Sequence, residues 1–331
     1  MDEFRGRRVS VVMAAWNAEN TIPASIASVQ AQTFEDWELV VADDGSTDGT
    51  TAVVEKIAEA DSRVRLLRLE HGGAAKARNA AVRAAKGEYI AILDSDDLSM
   101  PERLSLQCGF LDGHPDVSVV GGRCLQAGTV LKPPCSNGAL QYMLTHCNPF
   151  HHSTVMFRKS AFGAGYREDY VAAHDYEFLA RLCAEGKAAN IPRVLSERCL
   201  RPDSLSEKNR PVQHLNAKRV SEAVMKRWCP DGDDELIAEL VAANVNGEAP
   251  TSGHREYRKL NTKIARSVAA ANPANAFEIF RWTLAHLVEK NGIFFGNGAT
   301  DCAMKAAVVA CHRLCWPGTL VKSLKRIGAA R

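Results

Sequence analysis

Residues 38–48 read Glu38-Leu39-Val40-Val41-Ala42-Asp43-Asp44-Gly45-Ser46-Thr47-Asp48. The apolar run at 38–42 is short and β-branched, which is the pattern of a buried strand. Two carboxylates close it, and Gly, Ser, Thr and Asp then supply turn and helix-start chemistry. Val53, Val54, Ile57 and Ala58 follow at helical spacing, so a helix opened by Thr47 or Asp48 is predicted. Upstream, residues 9–13 form a second apolar run, and Ile22, Ile26 and Val29 lie between the two at helical spacing. Strand–helix–strand of this kind implies a parallel sheet. The alternation continues with strands at 64–69, 89–93 and 117–120. Residues 74–86, rich in Ala, Lys and Arg, read as a helix stopped by Gly87. Ser99 and Glu102, with Pro101 between them, predict a capping-box helix whose inward face is Leu104, Cys108 and Leu111. The Gly and Pro residues of 121–150 predict loops and short strands. A helix over 175–185 turns Phe178, Leu179 and Leu182 inward and stops at Gly186.

From about residue 210 the pattern becomes purely helical, at 212–228, 234–245, 254–271, 275–290, 301–316 and 319–328. The expected organisation is therefore an α/β domain over 1–209 and a helical region over 210–331. A chain of 331 residues is long enough for two domains. With 46% hydrophobic and 24% charged residues it is neither disordered nor a disulfide-dense mini-protein. No uncharged apolar run reaches the roughly 18 residues of a membrane span, and the N-terminus lacks the apolar core of a signal peptide. Ten Cys without a CxxC pair suit a reducing, cytoplasmic setting. The net charge of +2 conceals an asymmetry: residues 208–331 carry 19 Lys+Arg against 11 Asp+Glu, and residues 1–207 carry 22 against 28. The first part should gather cations and the second should face something anionic, unless the bias is only uneven surface charge.

Three clusters carry candidate chemistry. Asp43 and Asp44 end a parallel strand, the edge at which open α/β sheets bind ligands. A carboxylate there can accept from a nucleobase N–H or a ribose hydroxyl, and it can equally serve the turn. Asp94-Ser95-Asp96-Asp97 follows another apolar strand. Carboxylates two apart at such an edge can share Mg²⁺ or Mn²⁺ with diphosphate oxygens, the alternative being a solvated acidic turn. His174-Asp175-Tyr176 begins a helix, where the dipole favours an ionised carboxylate suited to a general base or a plain N-cap. His151-His152, with His146 nearby, lacks acidic or Cys partners at ligand spacing and reads as a loop near an acceptor cleft. Cys311-His312-Arg313-Leu314-Cys315 reads as helix packing, and Trp228, Trp282 and Trp316 as core.

In order along the chain, these motifs resemble family 2 glycosyltransferases. Residues 9–17 (Val-Ser-Val-Val-Met-Ala-Ala-Trp-Asn), 28–33, 37–48, Ala77-Arg78-Asn79, 87–97, His174-Asp175-Tyr176 and Arg198 with Ser204-Leu205-Ser206 carry the likeness, over roughly residues 7–207. The resemblance implies a GT-A fold, a mixed sheet flanked by helices, with metal-dependent, inverting transfer from a nucleotide-sugar, UDP-linked, in cell-surface polysaccharide or glycoconjugate synthesis. It implies that Ala14, Trp16, Asn17, Asp43 and Asp44 line the nucleoside pocket. Lys76 and Arg78 would approach the ribose or diphosphate. Asp94 and Ser95 would also face the donor, Asp94 and Asp96 would hold Mn²⁺ or Mg²⁺, and Asp175 would be the base. The acceptor would be a sugar or a lipid-linked sugar, and no nucleic acid is implied.

This chain departs from the family pattern in three residues. Ala14 and Trp16 stand where Pro and Tyr or Phe are frequent, and Trp keeps a stacking face. His174 replaces the acid that often precedes the base. The Gln-x-x-Arg-Trp signature of processive synthases is absent, which favours single additions. Rival readings are a nucleotidyltransferase, which would carry a Gly-rich basic loop where Ala14–Glu19 stands, and a non-catalytic sugar-nucleotide-binding subunit, against which Asp94, Asp96 and Asp175 argue. A Rossmann dehydrogenase lacks its G-x-G-x-x-G here. Finally, residues 305–331 hold six basic residues and no acid. With Leu320, Leu324 and Ile327 on one helical face, the tail is expected to lie on an anionic membrane surface, or to pack on the other helices.

Overall fold

A computed structural model describes residues 8–199, 209–246 and 254–283. The strand predicted at 38–42 is β2 (Trp37–Asp43), with every residue buried. It lies parallel to β1 (Val9–Ala15) on one side and β3 (Val64–Arg68) on the other, and β1 pairs in parallel with β4 (Tyr89–Ile92). The helices α1 (Ile22–Gln30), α2 (Thr50–Ala60) and α3 (Ala74–Ala84) make the crossovers. Strands covered on both faces explain runs that are apolar throughout rather than alternating. In this register Ala15 pairs with Asp43. The Leu93 amide donates to the Val12 carbonyl. The acidic turns after β2 and β4 therefore leave the same edge of the sheet.

Of the rest of the sheet the sequence showed the start of β6, predicted as a strand at 117–120, and short strands within 121–150, but not their pairing. The sheet's order is β3-β2-β1-β4-β8-β6-β9-β5, with β7 (Thr129–Leu131) on β6. β8 (Met156–Arg158) runs antiparallel to β4 and β6. β6 (Val117–Gln126) runs parallel to β9 (Lys187–Arg198), and the two-residue β5 (Leu98–Ser99) is antiparallel to β9. Gly121 and Gly122, read as loop punctuation, lie inside β6. A Cβ on Gly121 would meet Asn190 Oδ1 at 2.3 Å, and one on Gly122 would meet Leu195 Cδ1 at 2.4 Å. β9 escaped notice because Pro192 interrupts it. The ladder passes over it, since Gly122 pairs with Ile191 and Arg123 with Val194. An irregularity of this kind is where a strand tolerates proline.

Three predicted helix ends move. Ser99 is no cap: its amide donates to Ser28 Oγ and its Oγ accepts from Gln32 Nε2. Strand pairing with Ser196 claims it, and α4 (Arg103–Gly113) starts four residues later, with Glu102 bonded to Arg193. Gly49 rather than Thr47 or Asp48 takes the N-cap position of α2, while the Asp48 carboxylate accepts from the Thr50 amide at 3.0 Å. α3 ends before Gly87, which is there for close approach: a Cβ would lie 2.5 Å from the Ser10 nitrogen. α6 (His174–Glu185) buries Phe178, Leu179 and Leu182 as expected.

Two compact units divide the described residues. One comprises the chain up to Leu140 with Asn148–Val220, and the other Gln141–Cys147 with the chain from Ser221 onward. The boundaries fall within α5 (Asn137–Met143) and α7 (Arg210–Trp228). In the second unit, α8 (Asp234–Asn246) and α9 (His254–Ala271) close a core of Met225, Ile237, Leu240, Val241, Ile264 and Val268, with Trp228 and Trp282 packed against it. Tyr142 donates to Asn261 Oδ1 at 2.9 Å within that core. The helices expected beyond residue 283, the Cys311–Cys315 stretch, Trp316 and the basic tail lie outside the described residues. Among the described residues no helix is long and apolar enough to cross a membrane.

Candidate active site

The edge formed by the ends of β1, β2 and β4 gathers the predicted residues of the first unit. After β1 the chain presents Trp16, 42% exposed, stacked on His71 with ring centroids 4.9 Å apart. Asn17 adopts a left-handed conformation (φ 50°), a region Asn tolerates, and its Oδ1 accepts from the Thr47 amide at 2.8 Å. Asp43 is buried and accepts from the Ser46 amide and hydroxyl and from Thr51. Asp44 is buried too. It accepts from the Gly72 amide at 2.9 Å, the Gly73 amide at 2.8 Å and His71 Nδ1 at 2.9 Å. Gly45 is required here: its φ is +70°, and a Cβ would lie 2.8 Å from the His71 nitrogen. Asp44 thus stitches the β2 turn to the entry of α3, and Asp43 ties the same turn to α2. Ala14 is half-buried at the end of β1, and Lys76 is exposed, its stem folded over Gly72.

The second acidic cluster is held by cationic side chains. Arg78, buried on α3, donates from Nη2 to Asp94 Oδ1 at 2.6 Å and from Nη1 to His174 Nε2 at 2.5 Å. His152 Nδ1 lies 3.4 Å from the same Asp94 oxygen, and its Nε2 is 3.0 Å from the Tyr166 hydroxyl. Burial alone would raise the Asp94 carboxyl, but Arg78 and His152 outweigh it and hold it well below the usual range. Burial and the guanidinium of Arg78 pull His174 far below its ordinary value, so its ring is neutral and accepts from Arg78 through Nε2. Its proton is then on Nδ1, a buried atom without a partner.

Asp97 behaves in the opposite way. Burial, then the charges of Asp94 and Asp96, push it up to about 7, although it accepts from Ser153 at 2.5 Å and from the Cys199 amide at 3.2 Å. Ser95 and Asp96 are half-buried on this turn. Beneath it Arg103 is fully buried and donates to the carbonyls of Ile92 and Val155, while its Nε reaches Gln107. Burial draws its guanidinium down to about 9, against the pull of Asp97 and Asp94. The Ile92 carbonyl at the end of β4 is thereby satisfied, a group that left bare would cost about 1–3 kcal/mol, and the Val155 carbonyl gains a second donor beside the Ile92 amide.

Asp175 is the second residue of α6, and Ala173 before the helix is left-handed (φ 59°). Asn148 Nδ2 donates to Asp175 Oδ2 at 2.9 Å, and the Phe150 amide donates to Asn148 Oδ1, which fixes which way the amide points. Burial would raise the Asp175 carboxyl. His152, the Tyr176 amide at the helix start and Arg78 together bring it below its ordinary value, so it is ionised. Asn79 clamps the neighbouring segment by exchanging two 2.8 Å bonds with the Tyr166 backbone.

The structure therefore links Arg78, Asp94 and His174 in one network, places Asp175 beside His174 with Asn148 as its partner, and adds residues the sequence did not single out. His152 carried only a loop assignment, and Asn148, Tyr166 and Arg103 carried no signal at all. Among the described residues no group of three or more His, Cys, Asp or Glu side chains is arranged to hold a metal ion.

The profile of the family described as Glycosyl transferase family 2 matches residues 10–164. EpsE of Bacillus subtilis strain 168 is 32% identical over 273 residues, covering 78% of this chain and 96% of EpsE. The chain belongs to glycosyl transferase family 2. The UDP-Glc:alpha-D-GlcNAc-diphosphoundecaprenol beta-1,3-glucosyltransferase WfgD of Escherichia coli is 47% identical over 112 residues, which are 34% of this chain and 42% of WfgD. The crystal structure of S. aureus TarS 1-349 in complex with UDP-GlcNAc aligns with a TM-score of 0.58 at 18% identity, covering 92% of this chain and 89% of TarS 1-349. That likeness is one of fold, the GT-A fold. Membership of the glycosyltransferase family decides against a nucleotidyltransferase.

Proposed function

We propose that this glycosyltransferase moves a sugar from a UDP-sugar to a hydroxyl of a lipid-linked sugar, with inversion, in the synthesis of a cell-surface polysaccharide. The observation that carries the reading is the buried Asp175 carboxylate at the head of α6, oriented by Asn148 and next in sequence to His174, whose ring accepts from the Arg78 that also holds Asp94. The UDP donor and the lipid-diphosphate acceptor are the ones that WfgD's name gives for WfgD.

Trp16 offers its exposed face to the nucleobase, with Ala14, Asn17, Asp43 and Asp44 around the nucleoside. Lys76, Arg78 and Ser95 serve the ribose and diphosphate. A divalent cation, Mg²⁺ or Mn²⁺, fits the turn after β4. The carboxylates of Asp94, Asp96 and Asp97 supply hard oxygen donors, and burial with the charges of Asp94 and Asp96 raises Asp97. Asp96 and Asp94 would hold it. Such an ion supplies Lewis acidity towards the departing diphosphate.

Asp175 takes the proton of the acceptor hydroxyl as that oxygen bonds to the anomeric carbon. The bond from this carbon to the diphosphate oxygen breaks, its electron pair leaves with UDP, and the configuration inverts. Arg78 lies on the Asp94 side and offers positive charge to the leaving group. The test is a panel of nucleotide-sugars with Mn²⁺ or Mg²⁺, read by nucleoside diphosphate release. We expect release from a UDP-sugar, and a fall of about 10²–10⁴-fold in Asp175→Asn with donor affinity kept. Wild-type turnover in that variant, at saturating substrates, rules out the base.

A further inference from the structure

Five large apolar side chains are exposed among the described residues: Trp16, Val171, Val212, Leu215 and Phe277. Three of them converge on the segment that leads into the base. Val171, 69% exposed, precedes Asp175 by four residues. Val212 and Leu215, 41% and 60% exposed, lie one turn apart at the start of α7. Two contacts pin that helix start to the same segment. Asn216 Nδ2, buried, donates to the Ala172 carbonyl at 2.9 Å. The Arg219 guanidinium packs over the Tyr170 ring at 4.9 Å. Val171 and Leu215 each adjoin one end of the Asn216–Ala172 bond.

The start of α7 is basic, while the segment before Val171 carries Glu168, bonded to Asn79, and Asp169. Residues 209–220 include Arg210, Lys218 and Arg219 and no carboxylate. The nearby Asp169 is taken by Arg167, at 2.7 and 3.0 Å. A helix that faced only water would carry polar side chains at 212 and 215. Hydrocarbon beside cations matches an amphiphile whose apolar chain meets an anion.

We propose that Val171, Val212 and Leu215 seat the first hydrocarbon units of a lipid-diphosphate acceptor, with Lys218 and Arg219 facing its diphosphate. The inference rests on the acceptor class proposed above. It adds the place where the lipid is held, next to the loop that carries the base.

The test is direct binding to the full-length protein of two soluble probes, GlcNAc-diphosphate esterified with a decyl chain and with a methyl group. The decyl probe is kept below its micelle concentration, and no vesicles are present. The decyl probe should bind at least about 10-fold more tightly, the effect expected from burying as few as two methylenes. The double variant Val171→Ser with Leu215→Ser should lose most of that preference and keep the affinity for the methyl probe and for the UDP-sugar. Both sites are exposed, so folding is not at risk. Arg219→Glu should weaken both probes. Equal binding of the two probes by the wild type overturns the proposal, as does a chain preference that survives the double variant. A double variant that loses only its attachment to anionic vesicles overturns it as well, because the patch then serves a bilayer. Chain preference without transfer to either probe sinks the acceptor reading and leaves the lipid seat standing. Transfer without chain preference does the reverse.

Discussion

Asp43-Asp44 and Asp94-Ser95-Asp96-Asp97 look alike in sequence, since each is an acidic turn at the end of a buried parallel strand. In the structure they are held by different chemistry. Asp44 is satisfied by main-chain amides and one imidazole, and Asp43 by neighbouring amide and hydroxyl donors. Asp94 is held by the side chains of Arg78 and His152, and Asp97 is pushed up to about 7 by burial and then by the charges of Asp94 and Asp96. Amide bonds fix a loop, whereas a carboxylate held by charged side chains can exchange partners when a diphosphate arrives. The same residue type at the same kind of strand end is thus held by main-chain amides in one turn and by charged side chains in the other.

The sharpest way to break this comparison is Asp96→Ala. It should abolish transfer and Mn²⁺-dependent binding of nucleoside diphosphate while leaving the melting temperature unchanged. Retained activity and metal dependence would remove Asp96 from the site. Asp44→Ala should weaken donor binding and, unlike Asp96→Ala, also lower stability. It leaves the Gly72 and Gly73 amides without their acceptor, a loss of about 1–3 kcal/mol of stability read by denaturant unfolding. An unfolding midpoint equal to wild type would mean that the amide bonds of Asp44 do not hold the turn. The smallest effect should come from Asn148→Ala, which frees the Asp175 carboxylate from its amide partner. Turnover should fall by about 10-fold with the donor KM unchanged, the scale of losing a residue that orients a reacting group. A rise in donor KM with normal turnover would place Asn148 on the nucleotide side instead.

The half of the sheet built from β1 to β4 was legible because each strand is a continuous apolar run and each crossover helix shows its own period. Phe178, Leu179 and Leu182 declared α6 for the same reason. Most of the other half hid because its signals point elsewhere. Gly121 and Gly122 read as a turn, yet they make room for Asn190 and Leu195, and Pro192 reads as a break, yet the ladder skips it. Ser99 and Glu102 match a cap motif, but pairing of β5 with β9 overrode local preference. In the site, Asp94 and Asp175 stood out because acids at strand and helix ends have a chemical reading. Asn148 reaches Asp175 across 27 positions of sequence, a contact that no local pattern encodes.

Ala173 sits with φ 59° and ψ 21° immediately before His174 and Asp175. A left-handed alanine costs about 1–2 kcal/mol relative to an ordinary backbone, and here that conformation aims the first turn of α6. Mutational tolerance along the segment should therefore be uneven. Gly, Asn and Asp can occupy position 173, whereas Val, Ile and Thr are excluded by their branched Cβ. Two residues earlier the chain is exposed and free of that constraint. A library meant to change which acceptors the enzyme uses has its room at position 171 and almost none at 173.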